Sequence, residues 1–197
     1  MARKACEIIF IESAISKVAE SGLENLRTKQ VADHTGFSEA TLFRIFKTKE
    51  SLLDAAFLYV DKQLSDIVAQ SEYLRLYDEM PFEKVLYKIW REVYRHLLDN
   101  EEETVFLIRY RYSSLYTNEV RSQRQAYNGS FDKIYDVFDK RFGVSSSTYR
   151  GFLINYIFEL TLCFAAKVIE GMIQDTEETE ERIWRAVIGA AKSFTDI

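Results

Sequence analysis

The chain has 197 residues, 47% hydrophobic and 29% charged, which suits one large soluble globular domain or two small ones. A net charge of −5 argues against a uniformly basic nucleic-acid coat, and two distant cysteines, Cys6 and Cys163, leave no disulfide framework or paired metal motif. Seven glycines and one proline favour helices over a turn-rich sheet fold.

Residues 4–21 read as a helix, because Ile8, Ile11, Ile15 and Val18 recur at spacings of three and four. Gly22 follows where a left-handed cap is wanted. Residues 28–34 form a short second helix with Thr28 as its N-cap, and Gly36 breaks it. Ser38 caps a third helix running to Phe46, and Thr48 caps a fourth from Lys49 to Ser71. Pro81 opens a fifth as its first helical residue, followed by the apolar stripe Phe82, Val85, Leu86, Ile89, Trp90, Val93, Tyr94 and Leu97. A sixth covers 102–113. A seventh starts at Asn118, follows Val120, Tyr127, Phe131, Ile134, Phe138 and Phe142, and stops at Gly143. The eighth spans 148–174 and the ninth 176–194, the latter preceded by Asp175 and Glu178 as a capping pair. No strand-like alternation competes, so the expected fold class is all-α with about nine helices.

The eighth helix is apolar over most of its circumference, with polar residues confined to a strip through Asn155, Glu159, Glu170 and Gln174. Two readings cover that surface: a large internal core, or a second copy packing its eighth and ninth helices against these in a four-helix interface. A membrane is not expected, because Asn155, Glu159 and Lys167 interrupt the 151–173 stretch. No secretory signal pattern opens the chain, so a cytoplasmic location is expected.

Charge is unevenly spread. Residues 27–49 carry Arg27, Lys29, Arg44, Lys47 and Lys49 against Asp33 and Glu39, a local +3 on an acidic chain. Within that stretch, QVADHTGFSEATLFRIF at 30–46 has two helices joined at one glycine, the pattern of a helix-turn-helix. Val31, Phe37, Leu42 and Ile45 supply the packing contacts, and Ala32 permits close approach. Ser38, Glu39, Ala40, Thr41, Phe43 and Arg44 are left near the start and outer side of the third helix, the end that enters a major groove. Arg27, Lys29, Lys47 and Lys49 flank it as phosphate-seeking cations.

Residues 11–57 resemble the DNA-binding segment of the tetracycline-repressor (TetR) family of bacterial transcriptional regulators. The resemblance rests on Ala14 to Gly22, Thr28, Val31–Ala32, Gly36 and SEATLFRIFKTKESLL at 38–53. It implies an N-terminal DNA-binding domain at 1–48 and a ligand-binding and dimerisation domain at 49–197. It also implies a homodimer on double-stranded operator DNA, released by a small-molecule effector. By position, Thr28 and Lys29 correspond to residues touching backbone or bases, Glu39, Ala40, Thr41 and Phe43 to recognition contacts, and Lys49 to a phosphate contact. Phe43 stands where tyrosine is commoner and Thr35 where an apolar residue is usual. Glu39 is open to two readings: an acceptor for cytosine N4, or a first-turn acid favoured by the helix dipole.

Candidate effector-pocket positions are Trp90, Tyr94, Phe106, Tyr110, Tyr127, Phe131, Asn155 and Glu159, with plain core as the alternative for the aromatics. Glu159 needs a partner, either Arg109 or Arg111 or a cationic or hydrogen-bonding ligand. His34 and His96 are accompanied by no phosphate loop, metal-ligand cluster or nucleophile motif, so neither an enzyme nor a cofactor is expected. The alternative function is an all-helical ligand-binding or adaptor protein whose helix-turn-helix does not bind DNA.

Overall fold

The computed structural model describes residues 2–76, 79–125 and 147–193. Among them are nine α-helices and no strand: α1 (Ala2–Ser21), α2 (Thr28–Thr35), α3 (Glu39–Phe46), α4 (Lys49–Gln70), α5 (Phe82–Asp99), α6 (Glu101–Arg111), α7 (Asn118–Gln125), α8 (Ser147–Ile169) and α9 (Glu177–Ser193). A 3-10 turn, Glu72–Arg75, follows α4. The expected course of the seventh helix beyond Gln125, including Tyr127 and Phe131, lies outside the described residues.

The chain forms two compact units. The first comprises Met1–Gln63 and Asn100–Tyr127, the second Leu64–Asp99 and Asn128–Ile197. In the first, α1 packs on α2 and α6. Its buried face is Phe10, Ile11, Ala14, Ile15 and Val18. Phe10 takes the place expected for Ile8, which is only half-buried, because Phe10 meets Phe37 and Phe46 at ring distances of 5.5 and 6.4 Å. The end of α1 is closed from α6: Arg109 donates to the carbonyls of Val18 and Ala19, and the Val18 carbonyl also accepts from the Gly22 amide at 2.9 Å. Phe57 on α4 stacks on Tyr110 at 4.8 Å, and the Tyr110 hydroxyl donates to Asp54 at 2.6 Å.

In the second unit, α5 buries Val85, Ile89, Trp90, Val93, Tyr94 and Leu97, so the apolar stripe is the packed face. It meets α8, where Trp90 Nε1 donates to Thr161 Oγ1 at 2.9 Å. Helix α9 buries Ile183, Val187, Ile188 and Ala191 against α8. Three ends differ from expectation. Thr176, not Asp175, caps α9 by accepting from the Thr179 amide at 3.1 Å, while Asp175 is drawn to Arg95. Helix α8 stops at Ile169 rather than Gln174, because Gly171 adopts φ +71 and the Met172 amide returns to the Lys167 carbonyl at 2.9 Å. Likewise Pro81 precedes α5, its carbonyl accepting from the Lys84 and Val85 amides.

The polar residues of α8 do not break its apolar character. Phe152–Ile169 has mean hydropathy 1.7 and is long and apolar enough to cross a membrane by length and composition alone. Only 28% of that window is buried.

Candidate nucleic-acid interface

The turn between α2 and α3 is built on Gly36, which has φ +72 and closes α2 by donating its amide to Asp33. Val31, Ala32 and Leu42 are buried beneath it, and Phe37 remains 39% exposed while touching Phe10. Ser13 of α1 secures α2: its Oγ donates to the Val31 carbonyl at 3.3 Å and lies 2.9 Å from His34 Nδ1. A serine inside the apolar stripe of α1 was the sequence signal for this tie.

Ser38 is the N-cap of α3, accepting from the Thr41 amide at 3.2 Å, with its hydroxyl 2.9 Å from Thr41 Oγ1. Thr28 is not the N-cap of α2. Arg27 occupies that position without a side-chain cap bond, and Thr28 Oγ1 donates instead to Glu39 Oε1 at 2.5 Å. The starts of the two helices are therefore tied through their side chains. One carboxylate oxygen of Glu39 is engaged there, a role that neither expectation for this residue contained.

The far end of α3 is strained. Lys47 has φ 70 and ψ −50, and the Thr48 amide donates to the Phe46 carbonyl across it at 2.8 Å. This is the positive-φ γ-turn, a rare conformation for a side-chain-bearing residue. It allows α4 to begin immediately, with Thr48 accepting from the Ser51 amide at 3.0 Å. Lys47 Nζ turns back to the Arg44 carbonyl at 3.3 Å, onto the negative end of α3.

Between these fixed ends, Ala40, Phe43 and Arg44 are exposed and Thr41 is half-buried. Phe43 keeps 39% of its surface in solvent. Arg27 and Lys29 are exposed at the start of α2, and with Arg44 they form no ion pair or side-chain hydrogen bond among the described residues. Lys49 differs: its Nζ donates to the Leu23 carbonyl at 3.3 Å, so part of its bonding is spent within the domain. The surface thus combines unpaired cations, a hydroxyl, a methyl and an aromatic ring on one short, anchored helix.

The proposed pocket positions fall apart into pairs. Trp90 and Tyr94 stack at 4.9 Å in the second unit, inside a cluster completed by Tyr87 and Trp184. Burial first, and then the nearby Asp175 carboxylate, push the Tyr94 hydroxyl up to about 12. Asn155 and Glu159 are half-buried on α8. Phe106 and Tyr110, whose rings lie 5.9 Å apart, are fully buried in the first unit as core. Tyr127 and Phe131 lie outside the described residues. Arg109, one expected partner for Glu159, bonds the end of α1.

Residues 10–56 match the profile of "Bacterial regulatory proteins, tetR family". The comparison with curated proteins gave no match. Among solved structures, a TetR family transcription regulator from Marinobacter aquaeolei VT8 superposes with TM-score 0.74 at 21% identity, covering 95% of this chain and 96% of that one. A TetR family regulator from Shewanella sp. PV-4 gives 0.73 at 17% identity, covering 94% and 95%. NalD, the secondary repressor of the MexAB-OprM multidrug efflux pump in Pseudomonas aeruginosa, gives 0.60 at 16% identity, covering 95% and 96%. The chain therefore carries the helix-turn-helix domain of the tetR family of bacterial regulators, set within the TetR-family transcription-regulator fold.

Proposed function

We propose that the chain is a ligand-responsive transcriptional regulator, acting as a repressor, that binds a pseudo-palindromic operator as a homodimer and leaves it when a small-molecule effector binds. The observation that carries this reading is the exposed row Ala40, Phe43 and Arg44 on α3, a helix anchored at both ends and flanked by Arg27 and Lys29. A single helix of this kind fits the major groove. Arg27, Lys29, Arg44 and Lys47 supply phosphate contacts, with Lys49 contributing what its bond to Leu23 leaves. Ser38 and Thr41 offer hydroxyls, Ala40 and Phe43 meet thymine methyl groups, and the second oxygen of Glu39 accepts from cytosine N4. Thr28 acts indirectly, by orienting Glu39.

The thinly covered apolar surface of α8 supports dimerisation through α8 and α9, since a second copy would remove it from water. Two α3 helices would then lie about one DNA turn apart, ~34–36 Å. The repressor role draws support from NalD, which is described as a repressor. The effector would lie in the second unit near Trp90, Tyr94, Asn155 and Glu159, and a coupling of ~1–3 kcal/mol between effector and operator suffices. The functional division at residue 48 and the cytoplasmic location belong to the same reading.

Fluorescence anisotropy with the promoter DNA of its own gene, across a salt series, tests it. Affinity is expected to fall steeply with salt, and removing one phosphate contact, as in Lys29→Ala, should flatten the log–log slope by about 0.9. A single-chain species that ignores this DNA at low salt would leave the adaptor reading in its place.

A further inference from the structure

The second unit contains an open groove of about 550 Å³, lined by the last turn of α4, the start of the 3-10 turn and the C-terminal half of α5. Its charged groups are mostly acidic, three carboxylates beside one guanidinium, with the imidazole of His96 also in the lining. Glu72, Glu92 and Asp99 line it, and none forms an ion pair among the described residues. One Glu92 oxygen, Oε2, is out of water with no hydrogen-bond donor. Ser71, 7% exposed, lines the same groove, and its hydroxyl is buried without a partner among the described residues. The one guanidinium present, Arg95, is held by Asp175 and Glu180, so its charge is already matched. Two helix C-termini, those of α4 and α5, add their partial negative charges. With Arg95 already engaged, the mostly acidic groove leaves a carboxylate oxygen without a donor, which a cationic donor would supply.

The spacing narrows the class of cation. No set of three His, Cys, Asp or Glu among the described residues could hold a metal ion. Glu92 and Asp99 stand seven residues apart on one face of α5. That separation is about 10.5 Å along the axis, too far for one ammonium to serve both. We propose that this groove binds an extended organic polycation, a linear polyamine whose ammonium groups bond Glu92 and Asp99 in turn and whose inner N–H groups reach Ser71. The site is separate from Trp90 and Tyr94, which lie on the packed face of α5. It goes beyond the regulator reading, because it requires no DNA.

Calorimetric titration of the full chain with spermidine at fixed ionic strength and without DNA tests the proposal. Saturable one-to-one binding is expected, weakened about tenfold by Glu92→Gln and by Asp99→Asn, while Glu24→Gln in the other unit leaves it unchanged. Asp99 is exposed, so Asp99→Asn keeps the test valid if Glu92→Gln disturbs folding. Equal affinity in wild type and Asp99→Asn, no heat at millimolar spermidine, or an equal response to magnesium chloride would each overturn it. The last outcome would mean general counterion condensation on an acidic chain.

Discussion

Thr28 Oγ1 donates to Glu39 Oε1 at 2.5 Å, joining the first residue of α2 to the first residue of α3 across the turn. The bond fixes the helix proposed to enter the groove at its N-terminal end, without using a backbone group. It also turns a residue expected to touch DNA into a strut beneath another, Glu39, that is proposed to do so.

Thr28→Val keeps the side-chain shape and removes the donor. A partly exposed hydrogen bond to a carboxylate gives an expected loss of ~1 kcal/mol in urea unfolding. Combined with Glu39→Ala, which removes the acceptor, the pair should show a coupling of ~0.5–1 kcal/mol in a double-mutant cycle. A coupling of zero would mean that the bond does not form in solution.

Gly36→Ala separates conformational from steric cost. A Cβ at Gly36 meets no atom within 4 Å, so only the left-handed backbone at φ +72 opposes it. The expected loss is ~1–2 kcal/mol. Gly36→Asn should lose less, because asparagine visits this region more readily. Thermal or urea unfolding of both variants checks the order.

Lys47→Gly should move stability and DNA affinity in opposite directions. Relief of the γ-turn raises unfolding free energy by about 1 kcal/mol, while loss of the cation lowers operator affinity. If stability also falls, the turn is not strained as described.

Glu180 joins α9 to α5. Its side chain is fully buried, with Oε1 accepting from Arg91 at 2.5 Å and Tyr87 at 2.9 Å, and Oε2 accepting from Arg95. Burial pushes this carboxyl up, but the bonds from Arg95, Tyr87 and Arg91 together outweigh burial and hold it below the ordinary value of 4.5. A carboxylate with a depressed folded value contributes stability above its unfolded value, and that stability is lost as pH falls through the folded one. Wild type should therefore lose stability below pH 4.5, and Glu180→Gln should show a shallower dependence there. At neutral pH the variant is expected to be less stable by ~2–3 kcal/mol, discounted because both arginines are partly solvated.

Phe152 is 49% exposed, on the poorly covered face of α8. Phe152→Glu should leave single-chain stability within about 0.5 kcal/mol, as for a surface substitution. Sedimentation should show a dimer weakened at least about tenfold, since the interface would bury an unpaired charge. An unchanged dimer would place the interface elsewhere.

The helices were legible because each has a periodic apolar face and a local stop or start. Ser38, Thr48 and Gly36 act within a few residues of themselves, so their roles follow from residue type and position. The exposed row of α3 followed from the same periodicity, with the packed positions Val31 and Leu42 confirmed as buried. Capping by Thr28 and Asp175 was misread for one reason. Each side chain found a stronger partner distant in sequence, Glu39 in one case and Arg95 in the other.

Local order thus came from the sequence by itself: nine helical segments, one helix-turn-helix, and an eighth helix apolar over most of its circumference. Tertiary structure alone decided which polar groups meet. Arg109 closing α1, Glu180 gathering two arginines and a tyrosine, and the unmatched acids around Ser71 depend on side chains brought together from separate helices. Periodicity specifies which face of a helix is buried, but the direction and partner of a hydrogen bond are set only when two faces meet.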